Sequence, residues 1–215
     1  MKEKRISINK PSKPAHGKEK INIWMLAVIA VFAGLVFFVF SSKGSILPVL
    51  GDPGHAIGSF SFVDQDGRNI TDKDVAGKIR VVEYFFTTCK SICPIMNSNL
   101  VMVQDAFKEK PDVIILSHTV NPSTDSVPVL KKYAGTMHAI PGKWEFLTGT
   151  KVALYQMAQH DYLLSADSTT EANEAGAFIH TQYVALIDKE NRIRGFYDAT
   201  DKKEINKLIS DIKKL

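Results

Sequence analysis

The apolar pattern divides the chain into one long uncharged run followed by short alternating strand-like and helix-like segments. Residues 21–40, INIWMLAVIAVFAGLVFFVF, contain no charged side chain. At about 1.5 Å rise per residue, twenty residues cover roughly 30 Å, the thickness of a bilayer core. Trp24 near its start fits an interfacial anchor. The pattern predicts one transmembrane helix over 21–40. It is expected to stay uncleaved, because the run exceeds a secretory h-region and Ser41–Pro48 lacks a clear small-x-small cleavage site. Residues 41–57 hold Pro48, Gly51, Pro53 and Gly54 and read as a linker.

From residue 58 the periods change. Asp66-Gly67 lies between two short alternating runs within 60–71, a β-hairpin signal. Lys78–Phe86 becomes almost continuously apolar, as in a central strand. Pro94 then opens a helical pattern with Ile95, Met96, Leu100, Val103 and Phe107 on one face. Val113–Ser117 is a second buried-type strand, so a parallel β-α-β unit is expected. Ser126 is placed to cap a helix whose inner face carries Val127, Leu130 and Tyr133. A strand at 144–149, a short helix over 151–159 and a polar loop over 161–177 follow. Strands at 181–187 and 192–197 form a hairpin around Asp188–Asn191. Asp201 with Glu204 resembles a capping box before a final helix with an apolar stripe from Ile205 to Leu215. No internal repeat is visible. The expected class is α/β, a central mixed sheet flanked by helices, with an added N-terminal hairpin and one transmembrane helix in front. This order of elements resembles the thioredoxin-like fold.

Charge is unevenly spread. The formal net charge is +4, but residues 1–20 hold seven Lys/Arg against Glu3 and Glu19, so the remaining residues net about −1. The tail reads as a polar, basic segment, and the charge asymmetry around 21–40 places it in the cytoplasm and the body outside. The tail is short, Lys-rich and contains acidic residues, unlike an Arg- and Ser-rich transit peptide, which points to a bacterial cytoplasmic (inner) membrane. No basic stripe interleaved with aromatics follows, so nucleic-acid binding has no support. The organisation expected is therefore tail 1–20, anchor 21–40, linker 41–57 and domain 58–215.

Cys89 and Cys93 are the only cysteines. They stand at i and i+4, where the apolar strand ends and the helical pattern begins. If Cys93 opens the helix, its sulfur faces unpaired backbone N–H groups and the positive end of the helix dipole. That arrangement lowers a thiol from its ordinary value near ~8.5. Three chemistries fit the pair. A structural disulfide would close a very short loop and restrain the unfolded chain little. A redox dithiol is the second, although the common redox spacing is one residue shorter. A soft-metal site is the third, because two thiolates with an imidazole suit copper or zinc. Five of the six histidines (His16, His55, His118, His138 and His160) have ordinary surface or packing roles as their default. His180 differs, because it stands where the long loop enters the strand of the terminal hairpin. In a thioredoxin-like sheet that strand start lies beside the cysteine turn.

Further motifs surround these residues. Phe86-Thr87-Thr88-Cys89-Lys90-Ser91-Ile92-Cys93-Pro94 has the form F-T-x-C-x-x-x-C-P. Val120-Asn121-Pro122-Ser123-Thr124-Asp125-Ser126 approximates V-D-P-x-x-D-S/T. Trp144–Gly149 has the form W-x-x-L-T-G, and Ile179-His180-Thr181 approximates D-H-S/T before an apolar run to Asp188. With the anchor in front, residues 45–215 resemble the Sco-type (SCO/SenC) copper chaperones of cytochrome c oxidase assembly. The resemblance implies that Cys89, Cys93 and His180 bind one copper ion, as Cu(I) or Cu(II). It implies a copper-containing subunit of cytochrome c oxidase as partner, with other copper chaperones or thioredoxin-like reductants upstream. The chain departs from the pattern at Asn121, where the family has an acid, and at Ile179, where an Asp often precedes the histidine. Such an Asp would orient the imidazole or add a ligand. The expected role is delivery of a metal, not catalysis of a reaction. The alternative is a membrane-tethered thiol-disulfide oxidoreductase acting on oxidase cysteines or serving as a redox sensor. A thiol peroxidase is a more remote option.

Overall fold

The structure, a computed structural model, describes residues 23–41, 47–164 and 181–215. Two units separate along the chain, one N-terminal and one spanning Ile46–Leu215. The first contains helix α1 (Ile23–Ser41). Its described side chains, Trp24 and residues 26–35, are exposed and almost wholly apolar. Among the described residues no helix is long and apolar enough to cross a membrane. Residues 21–22 of the expected 21–40 span, like the tail 1–20, lie outside the described residues.

The second unit is built on a seven-stranded sheet. Its strands are β1 (Ser61–Asp64), β2 (Asn69–Thr71), β3 (Ile79–Phe85), β4 (Val113–Thr119), β5 (Trp144–Thr148), β6 (Tyr183–Ile187) and β7 (Ile193–Asp198). The spatial order is β2-β1-β5-β4-β3-β6-β7. β3 pairs parallel with β4 and antiparallel with β6, while β4 pairs parallel with β5. Every residue of β3 and β4 is buried, which explains their nearly unbroken apolar character. The helices are α2 (Cys93–Phe107), α3 (Val127–Thr136), α4 (Lys151–Gln156) and α5 (Lys202–Ile212). The expected helix over 151–159 divides: after α4, Met157–Asp161 winds as a π-helical turn.

Strand alternation sends side chains into two cores. Val81 and Phe85 join Met96, Leu100 and Val103 of α2, Leu130 of α3 and Ile205 and Leu208 of α5 on one face. Val82 and Tyr84 join Phe62, Leu116, Leu154 and Tyr162 on the other. The expected first hairpin is present. Gly67 turns it at φ +78°, a left-handed conformation cheap only for glycine. The Asp64 carboxylate stabilises the same turn by accepting from the Asp66 and Arg68 N–H groups, both at 2.8 Å.

Two caps differ from expectation. Ser126 stands at the N-cap of α3 without a side-chain cap bond. Asp201 caps α5 by accepting from the Lys203 N–H at 2.8 Å, while Glu204 meets Lys207 at 3.5 Å. The segment 47–57, read as linker, is bound to the domain. Leu50 bridges to Ile193, and Arg194 donates to the Leu47 and Pro48 carbonyls. Leu47 and Ile57 are buried, so apolar contact adds to those bonds.

His118, near the end of β4, is fully buried in the second core. Its ring stacks on Tyr84 with centroids 5.1 Å apart and meets Phe62 edge-on at 5.1 Å. Neither ring nitrogen meets a partner among the described residues. Burial pushes its pKa down to about 3. The native ring therefore stays neutral where an unfolded chain takes up a proton near 6.5. Its contribution to stability is complete above pH 6.5 and is lost as pH falls below that value, at about 1.4 kcal/mol per pH unit. His118→Phe is expected to remove this slope from urea unfolding between pH 6.5 and 4.5. An unchanged slope would show that the native ring is protonated.

Candidate metal centre

β3 ends at Phe85, and the chain turns at once. The Cys89 N–H donates to the Phe86 carbonyl at 3.2 Å, closing a tight turn. Cys93 then begins α2, with Pro94 in the first turn, where a missing N–H costs no helical bond. Both sequence-identified thiols are free and nearly buried, Cys89 at 9% exposure and Cys93 at 3%. The Cys93 N–H, one of the unpaired donors of the helix start, points to Cys89 Sγ at 3.4 Å. Ser91 Oγ lies 3.7 Å from the same sulfur.

This geometry reverses the expected acidity. Burial pushes the Cys89 thiol up, but hydrogen bonds from the Cys93 thiol and N–H and from Ser91 outweigh it and hold the thiol down at about 6. Burial pushes the Cys93 thiol up to about 12, reinforced by the adjacent Cys89 sulfur and the Glu83 carboxyl. The first cysteine, not the helix-opening one, is the thiolate at neutral pH. The helix N-terminus acts as foreseen, but its N–H reaches the sulfur one turn earlier.

Glu83 was not foreseen. It lies on β3, wholly buried on the face that packs against α2. Ser117 Oγ donates to it at 2.5 Å and in turn accepts from Trp144 Nε1 at 2.7 Å. With the Asn97 amide oriented to suit both neighbours, Nδ2 donates to Glu83 Oε1 at 2.6 Å and Oδ1 accepts from the Tyr133 hydroxyl at 2.7 Å. Burial pushes the Glu83 carboxyl up to about 7, against the pull of the Ser117 bond. A single Glu within an apolar strand was the available signal. Asp125 was read only as one letter of a loop motif. It is fully buried and joins that loop to the cysteine turn. Its carboxylate accepts from the Thr87 N–H at 3.2 Å, from Thr87 Oγ1 at 2.5 Å and from Thr119 Oγ1 at 2.5 Å.

The third expected ligand, His180, and its neighbour Ile179 lie outside the described residues. Among the described residues no three His, Cys, Asp or Glu side chains gather in a group able to hold a metal ion. The two thiols are therefore the part of the expected ligand set that the structure brings together. Asn121, the other departure, folds into its own loop: Ser123 Oγ donates to its Oδ1 at 2.8 Å and its Nδ2 donates to Thr124 Oγ1 at 3.0 Å.

A model of the SCO1/SenC family matches residues 50–215, which include the cysteine turn, the Asp125 loop and the terminal hairpin. The chain belongs to the SCO1/SenC family. The SCO1 protein homolog of Bacillus subtilis (strain 168) is 27% identical over 193 residues, covering 88% of this chain and 97% of that protein. The structure of BsSco, described as a cytochrome c oxidase assembly protein with a disulfide switch, is 26% identical. It superposes with a TM-score of 0.65 over 80% of this chain and 97% of its own. The Arabidopsis thaliana ScoI structure, solved with copper bound, is 26% identical with a TM-score of 0.58, covering 74% of this chain and 99% of that one. These likenesses agree with the thioredoxin-like class expected for the SCO1/SenC domain.

Alkylation of the reduced, metal-free protein checks the acidity assignment. Iodoacetamide is expected to modify Cys89 with a rate that rises through pH 6 and levels off above it. Cys93 should stay unmodified through pH 9. Tryptic cleavage after Lys90 places the two thiols on different peptides for mass spectrometry, and preferential labelling of Cys93 would reverse the assignment.

Proposed function

We propose that this SCO1/SenC protein carries copper on the outer face of a bacterial cytoplasmic membrane and delivers it to, or prepares the copper site of, the copper-containing subunit of a cytochrome c oxidase. Cys89, Cys93 and His180 are the ligands in this reading, and residues 21–40 tether the domain with the N-terminus in the cytoplasm. The observation that carries it is the pair of free thiols held together at the start of α2, in a chain whose relatives include a copper-bound structure and an oxidase assembly protein. The donor chemistry fits the cargo: two thiolates and a neutral imidazole suit Cu(I). Three ligands leave a side open for exchange, where a closed four-ligand site would trap the ion. Exposed Ile95, at 50%, and exposed Pro94 flank the thiols and offer an apolar contact to a partner.

Metal binding must remove the Cys93 proton, whereas Cys89 is already ionised at neutral pH, so affinity should fall as pH falls. A competition titration with a Cu(I) chelator tests the ligand set. Wild-type protein is expected to bind one ion per chain. Cys89→Ser, Cys93→Ser and His180→Ala should each lose more than the roughly 10–100-fold that removal of an outer hydrogen-bond partner costs. Full affinity in either cysteine variant would end the proposal. Membrane attachment is tested separately. The full chain should resist alkaline carbonate extraction, and the domain should be open to protease from the outer side only.

The unequal thiols favour a second reading. A low-pKa Cys89 beside a protonated, more buried Cys93 is also the arrangement of an attacking and a resolving thiol. In that case the protein reduces oxidase cysteines, or senses redox state, and His180 only tunes them. Reductase turnover retained in His180→Ala, together with absent copper binding in wild type, would favour this alternative.

A further inference from the structure

We propose that Asp125 is a positioning residue for the metal-binding turn, and that its buried carboxylate holds Thr87 so that Cys89 is presented to the Cys93 N–H. The relation to copper rests on the carrier reading above; the effect on the thiols does not.

Asp125 is 0% exposed and has no Lys or Arg ion-pair partner among the described residues. A carboxylate in that position is kept by its hydrogen bonds, since a buried charge without donors is far costlier than a paired one. Its donors come from two sides. Thr119 ends β4. Thr87 lies beyond β3, two residues before Cys89, and contributes both its N–H and its hydroxyl. The Val120 N–H donates to the Phe85 carbonyl at 2.8 Å, extending the β3–β4 pairing to the edge of the turn. Beyond that bond Thr87–Ser91 has no strand or helix ladder to fix it, the helical bonds beginning at the Ile92 carbonyl. Asp125 supplies the missing restraint from a loop that is itself ordered. Its own N–H donates to the Asn121 carbonyl at 2.9 Å, and the Asn121 N–H donates to Thr119 Oγ1 at 2.9 Å.

The contact pattern separates position from charge. Oδ2 takes the Thr87 N–H and the Thr119 hydroxyl, and Oδ1 takes only the Thr87 hydroxyl. An asparagine can keep its oxygen at the first place and donate to Thr87 Oγ1 from the second, because a hydroxyl also accepts. Alanine leaves the buried Thr119 hydroxyl and the half-buried Thr87 N–H and hydroxyl without this acceptor.

The test reads the ratio of Cys89 to Cys93 alkylation at pH 7 in the metal-free full-length chain in detergent, with circular dichroism and a thermal melt to show that each variant is folded. Asp125→Ala should lower the ratio by roughly 10-fold or more, the scale on which losing an outer partner costs a site. Asp125→Asn should stay within about 3-fold of wild type. If Asp125→Ala does not fold, Thr87→Val, which keeps the backbone bond and removes the hydroxyl arm, should lower the ratio in the same direction. A folded Asp125→Ala or Thr87→Val with a wild-type ratio and only a lower Tm would overturn the proposal. Equal damage in folded Asp125→Asn and Asp125→Ala would overturn it too, because charge and not position would then govern. Loss of Cu(I) affinity in step with the ratio supports the link to copper. A wild-type protein that binds no copper but shows these ratios removes the carrier reading and leaves the role of Asp125 in place.

Discussion

One backbone donor organises the chemistry of this protein. The Cys93 N–H, left unpaired because it opens a helix, ends on the sulfur of Cys89. That contact makes the two thiols unequal: the receiving sulfur is held as thiolate, and the buried sulfur beside it keeps its proton. It requires a strand to stop, the chain to bend and a helix to begin within eight residues. β3 is buried through to Phe85, where the bend starts, and Pro94 is tolerated only in a first turn, so the helix can begin no more than about one turn before it.

The polar groups around the bend show how the fold tolerates this. Glu83, Ser117, Asn97 and Asp125 are buried, and all have hydrogen-bond partners. Glu83 lies inside the helix-side core and raises the Cys93 thiol. Asp125 closes the outer side of the bend. Such groups are tolerated in a core only while their partners hold, so packing of α2 and α3 on the sheet and the state of the thiols are linked. His118 on the other face contrasts with them. It is buried among aromatic rings with no hydrogen-bond partner among the described residues, and burial keeps it neutral.

Much of this architecture was legible in the residues because its signals are local or periodic. The unbroken apolar runs of β3 and β4, the stripe from Met96 to Phe107 and the Asp66-Gly67 turn each act over a few residues, and the corresponding elements form. The thiol pair was legible for the same reason, being close in sequence at a change of period. What was misread depended on distance. The segment 47–57 looked like a linker because prolines and glycines dominate it. Its binding to Arg194 and Ile193 joins residues about 145 apart along the chain. The end of α4 was drawn as one helix, since a π-helical turn has no periodic signature over five residues.

The order of residues alone determined the element succession, the chemistry available at Cys89 and Cys93, and an uncharged run ahead of the domain. Only the tertiary structure decided which sulfur is the thiolate, because that depends on where one N–H points and how deeply each side chain is buried. It also decided that Asp125 reaches Thr87 across 38 positions. Hydrogen bonds and desolvation act through space over a few ångströms, and spacing along the chain carries no record of them.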